Sequence, residues 1–162
     1  MPKVIVLLCG SDGSADELGS AAAEGARGVR FTEVDVRTIG SGGMLAQPHK
    51  PLGSIDQIRE YDGIIVACTA AEMPTELSAI FDALDCAQPP AGFLNKVFAV
   101  AGTENKRLFE RLRRLGGIIV CTPRDATDSA DAGRTIGTRV AKVSEWVRHA
   151  LSHEQKLHHH HP

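Results

Sequence analysis

Val4-Ile5-Val6-Leu7-Leu8 is apolar at every position, and this constrains the chain more than any other feature. Successive side chains of a strand point to opposite faces, so a strand without a polar position must be covered on both. Runs of the same kind recur at Gly63-Ile64-Ile65-Val66-Ala67-Cys68, Val97-Phe98-Ala99-Val100-Ala101 and Ile118-Ile119-Val120-Cys121. Between them lie segments whose apolar residues fall at helical spacing. Such alternation predicts a parallel sheet with crossover helices on both faces, an α/β sandwich of three layers.

The helices carry their own start and stop signals. Ser14-Ala15-Asp16-Glu17 is a capping-box pattern that opens a helix through about Ala26, and Ser54-Ile55-Asp56-Gln57 opens a short one to about Glu60. Pro74 suits a first helical turn, and Leu77, Ile80, Phe81 and Leu84 form the stripe behind it. Leu108, Phe109, Leu112 and Leu115 mark the next helix, which Gly116 or Gly117 ends, and Ile136, Val140, Val143, Val147 and Leu151 mark the last. Phe31 to Arg37 alternates apolar with polar, as a half-exposed strand at a sheet edge does. Thr38 to Gly53 holds four glycines and two prolines and is expected to be a long surface loop, mobile or part of an interface. Five strands joined by right-handed crossovers predict the order 2-1-3-4-5.

Composition removes other classes. The 18 Lys and Arg stand against 20 Asp and Glu, and this balance does not draw a polyanion to the whole surface, so no nucleic-acid partner is expected. No apolar run reaches the roughly 18 residues of a spanning helix, and no signal-peptide pattern opens the chain, so no membrane partner and a cytoplasmic location are expected. Cys9, Cys68, Cys86 and Cys121 lack metal-like spacing and are expected to be reduced. His153 to Pro162, with four consecutive histidines, reads as a tag and disordered tail, leaving residues 1–152 as one domain.

In an open α/β sheet, ligands bind beyond the carboxyl ends of the strands where the strand order reverses, here between the first and third strands. The candidate loops are therefore Gly10 to Ala15, Thr69 to Met73 and Gly102 to Asn105. The first of them offers two glycines, Ser11, Ser14 and a helix N-terminus, the parts of an anion cradle. It also brings Asp12, Asp16 and Glu17. A like charge about 5–6 Å from a phosphate costs roughly 1–3 kcal/mol, more than most helix dipoles return. Ser14 and Glu17 could equally cap the helix and use the same amides. Among rival sites, Cys9 and Cys68 end neighbouring strands and are expected to be buried, inert thiols, forming a redox pair only if they ionised readily. Arg107, Arg111 and Arg114 form a basic stripe that meets an acidic partner or simply pairs on the surface.

Leu7-Leu8-Cys9-Gly10-Ser11-Asp12-Gly13, followed by Ala21-Ala22-Ala23-Glu24-Gly25-Ala26 and by Pro51 to Val66, resembles the flavodoxin-like FMN reductases. The likeness is greatest to the tryptophan-repressor-binding-protein family of NAD(P)H:quinone oxidoreductases, and Ala132 to Val143 is similar to that family's last helix. The resemblance implies a flavodoxin-like fold and FMN as cofactor. It places the phosphate on Ser11, Asp12, Gly13, Ser14 and Ala15, and the ring against Thr69, Ala70, Ala71, Glu72 and Met73. The far edge of the ring then meets Gly102, Thr103, Glu104 and Asn105. It further implies NAD(P)H as electron donor, a quinone or similar small acceptor, and a crevice that a homo-oligomer could complete. The alternative is a flavodoxin-like binding or assembly module that has lost FMN.

Overall fold

In the computed structural model, which describes residues 1–9, 14–39, 49–69, 73–86, 93–102, 106–121 and 129–159, the apolar runs become the strands of one parallel sheet. β1 (Lys3–Cys9), β2 (Glu33–Ile39), β3 (Gly63–Cys68), β4 (Val97–Ala101) and β5 (Ile118–Ile119) lie in the order β2-β1-β3-β4-β5. All four pairings are parallel, and every residue of β3 and β4 is buried. β2 is an edge strand and half-buried over most of its length, as its alternating sequence predicts.

The chain moves from β1 to β2 in one direction and from β2 through β5 in the other. Right-handed crossovers therefore put α1 (Ser14–Arg27) on one face, and α2 (Thr75–Asp85) and α3 (Lys106–Arg114) on the opposite one. α4 (Ala130–His158) packs beside α1. The two helices meet at backbone distance. A Cβ on Gly137 would collide with the carbonyl oxygen of Ala22, and one on Gly25 with that of Arg134. Thr138 Oγ1 donates to the Gly25 carbonyl at 3.1 Å across the same crossing. On the other face large side chains fill the space: Leu77, Phe81, Leu108, Phe109 and Leu112 are all buried. Arg111 ties α3 to α2 there, reaching Asp82 at 2.7 Å and Asp85 at 2.9 Å with its guanidinium over the Phe81 ring.

Several boundaries differ from the sequence expectation. β2 continues through Thr38 and Ile39, both buried, so these residues are not loop. The far end of the expected loop returns to them: Thr38 N donates to Lys50 O and Leu52 N to Thr38 O, each at 2.9 Å, in a parallel bridge between Thr38 and Pro51. Residues 40–48 lie outside the described residues. Ser54 caps a 3₁₀ turn at Ile55–Glu60 by accepting from Asp56 N, while Gln57 reaches back to Gly53 N rather than to Ser54. β5 ends at Ile119 instead of Cys121, and the Cys121 thiol accepts the Val100 amide at 3.2 Å where a ladder carbonyl would stand. α4 runs to His158, with residues 151–158 all exposed, six residues into the segment expected to be a disordered tail. Among the described residues no helix is long and apolar enough to cross a membrane.

Candidate functional site

β1 and β3 end in register at Cys9 and Cys68, so the loops that follow them leave the sheet side by side at the reversal of strand order. Ser14 opens α1 after the first loop, and its Oγ lies 2.6 Å from Thr69 Oγ1, which follows β3. β4 exits through Gly102, whose φ of +108° few other residues adopt. A Cβ there would lie 2.7 Å from the Cys68 carbonyl oxygen and 2.8 Å from Leu18 Cδ1. The exits of β1, β3 and β4 are thus drawn together by one hydroxyl pair and one glycine.

A fourth element joins them. His49, arriving from the segment after β2, sets its Nε2 2.7 Å from Asp16 Oδ1 in the first turn of α1, and both side chains are largely buried. A carboxylate only accepts, so the imidazole N–H is the donor and draws off part of the Asp16 charge. From the sequence, Asp16 counts as one of three charges that would repel an anion, and His49 does not stand out. Its one signal was a lone histidine closing the Gly- and Pro-rich stretch. Glu17 is exposed.

α1 begins at Ser14 itself, so Ser14 stands inside the first turn and not at the capping position, and the expected Ser14/Glu17 box does not form around it. Among the described residues no side chain accepts from the amides of Ala15 and Asp16. Ala15 is buried at 3% exposure beneath those amides, and Met73 is half-buried against the core. Of the candidate site residues, Ser14, Ala15, Thr69, Met73 and Gly102 are therefore placed at this edge. Ser11, Asp12, Gly13, Ala70, Ala71, Glu72, Thr103, Glu104 and Asn105 lie outside the described residues.

Cys9, Cys68 and Cys121 also sit at this edge, buried and free, while Cys86 is exposed. Burial above all, with smaller contributions from the Cys68 thiol and the Glu76 carboxylate, pushes the Cys9 thiol far above its ordinary range. This agrees with a buried, inert thiol and not with one half of a readily ionised redox pair. Arg111 is likewise taken up by Asp82 and Asp85, so the basic stripe loses its middle member to packing.

No protein-family model matches the chain. Solved structures do resemble it. A short-chain flavodoxin associated with a non-canonical PDU bacterial microcompartment matches at 13% identity and a TM-score of 0.66, over 89% of this chain and 99% of that one. The oxidised flavodoxin 2 of Bacillus cereus matches at 17% identity and 0.59, over 88% and 99%. FerB of Paracoccus denitrificans, a flavoenzyme NAD(P)H:(acceptor) oxidoreductase, matches at 16% identity and 0.59, over 91% and 98%. The fold is flavodoxin-like. Identities this low establish the architecture and leave the activity to be argued from the site.

Proposed function

We propose that the crevice at the carboxyl edge binds FMN, and that the chain is an oxidoreductase passing electrons from NAD(P)H to a quinone or similar small acceptor. The observation that carries this reading is the pair of Ala15 and Asp16 amides, free of side-chain caps among the described residues, at the place where the β1, β3 and β4 exits converge. The residues present fit the cofactor. The one buried carboxylate of the first turn, Asp16, is matched by His49, which lowers the repulsion an anionic end would meet. The near edge of the crevice belongs to Ser14 and Ala15 with the preceding Ser11 to Gly13, the ring side to Thr69 to Met73, and the far edge to Gly102 to Asn105. Bound flavin supplies the electron-transfer chemistry. The protein's part is to fix the cofactor's orientation through backbone amides and through the Ser14–Thr69 hydroxyl pair, and to keep one face open to donor and acceptor in turn. A second copy of the chain closing the shallow crevice belongs to the same proposal.

Calorimetric titration with FMN tests the reading, supported by a flavin absorbance band on the purified protein. It fails if millimolar FMN neither binds nor raises the melting temperature. Ser11→Asp is expected to weaken FMN while leaving the circular dichroism spectrum and riboflavin binding unchanged; equal FMN affinity would move the phosphate elsewhere. The second reading, a binding or assembly module without cofactor, is favoured by the Ser14 and Thr69 hydroxyls, which satisfy one another.

A further inference from the structure

α3 is nine residues long and carries five cations and one acid. It is net +4 in a chain of net −2 with histidines neutral, so the rest of the molecule is net −6. Leu108, Phe109 and Leu112 are buried, and Arg111 is held by Asp82 and Asp85. Lys106, Arg107, Arg113 and Arg114 stand exposed on the outer face with Glu110, the helix's one acid, between them. The side chains of Lys106, Arg113 and Arg114 have no ion pair or hydrogen bond among the described residues.

This placement works against the helix. Arg113 and Arg114 suit the negative end of the peptide dipole, but the first turn, its positive end, holds Lys106 and Arg107 and no acid. Arg107 also stands one turn from Arg111, a pair of like sign. α1, α2 and α4 open the other way, with Asp16 and Glu17, with Glu76 and with Asp131. Charge that served only to hold α3 together would run from acids to bases. Here it is positive from end to end, on a helix that three buried side chains and the Arg111 tie keep rigid.

We infer that the outer face of α3 is a docking surface for a folded protein that bears a compact acidic patch. The width of the cationic face selects this partner over other polyanions. It is a single helix about 14 Å long, bordered on the α2 side by the exposed Asp82 and the half-buried Asp85. A nucleic acid or an anionic membrane spreads past the helix and meets the negative remainder of the molecule, whereas a patch of matching width does not. α3 begins where the Gly102 to Asn105 loop ends, so the docked partner stands at the same edge of the sheet as the crevice. The inference does not rest on FMN binding.

NMR titration of the labelled full chain tests it with three probes: a helical peptide with glutamates along one face, a DNA duplex, and phosphatidylglycerol vesicles. At low salt the peptide is expected to shift the amide signals of residues 106–114 and to bind more tightly than duplex or vesicles. Its affinity is expected to fall about tenfold or more at roughly 0.15 M salt. Lys106→Glu is expected to weaken the peptide about tenfold while raising the melting temperature by about 1–4 °C, a pairing that a charge serving the fold does not give. Arg113→Gln is expected to weaken it by about threefold. Three results would overturn the inference: no shift of the 106–114 signals at low salt, tighter binding of duplex or vesicles than of peptide, or a Lys106→Glu protein that melts lower.

Discussion

On one face of the sheet α1 and α4 meet through Gly25, Gly137 and Ala22, whereas on the other α2 and α3 fill the space with Leu77, Phe81, Leu108 and Phe109. In the first case backbone touches backbone and no atom can be added. In the second, side-chain volume makes the contact and no atom can be removed without leaving a void. The candidate anion cradle is the start of α1, the helix held at backbone distance. A site that needs amides held in place is set on the face that tolerates no movement.

That contrast can be broken experimentally. Phe81→Ala, at a ring 3% exposed, is expected to cost about 3–5 kcal/mol in denaturant unfolding. Gly137→Ala raises helix propensity by about 1 kcal/mol, yet is expected to destabilise by about 1–3 kcal/mol overall because its methyl meets the Ala22 carbonyl. A gain in stability from that substitution would show that the two helices can separate, and would remove the contrast between the faces. Tyr61 sharpens it at the edge strand. Burial, and then the 2.7 Å hydrogen bond to Asp35, hold its phenol up at about 12. Its folded pKa lies above the ordinary 10.0, so the stability it lends is complete below pH 10 and is lost as pH climbs through 12. An alkaline unfolding profile should show this loss, and Tyr61→Phe should remove it.

Smaller effects test the cradle and the tie across the opposite face. His49→Gln is expected to weaken FMN by about three- to tenfold and riboflavin by less, since only FMN brings a phosphate toward Asp16. Equal losses for both would make His49 a purely structural contact. Arg111→Met is expected to cost about 0.2–1 kcal/mol, since Asp82 is largely exposed, and to matter less in high salt.

β3 and β4 were readable to the residue, beginning and ending where their apolar runs do. What escaped the sequence depends on contacts distant along the chain. Thr38 and Ile39 precede a glycine-rich stretch and read locally as loop, yet they are strand because the ladder to β1 runs on through Leu8 and Cys9, and residues 50–52 come back to pair with Thr38 on the other side. Ile118 to Cys121 reads as four residues of strand, but Cys121 presents sulfur to the Val100 amide and the ladder stops early. At the site, the convergence of the three exits follows from strand order and was legible. The partner of Asp16 was not, because His49 lies thirty-three positions away, beyond α1 and β2, in a stretch with no periodicity of its own. Leu151 continues the apolar spacing of α4 beyond the point where the sheet ends, so the pattern persists where there is no core left to meet it.

The bridge at Pro51 reaches beyond the local geometry. Lys50 and Leu52 direct their hydrogen-bonding groups inward to Thr38, so outward recognition there falls to Pro51, which has a carbonyl but no N–H. A foreign β-segment approaching this margin would find half of the pairing pattern missing. At this end of the β2 edge the returning segment is therefore a poor template for edge-to-edge pairing.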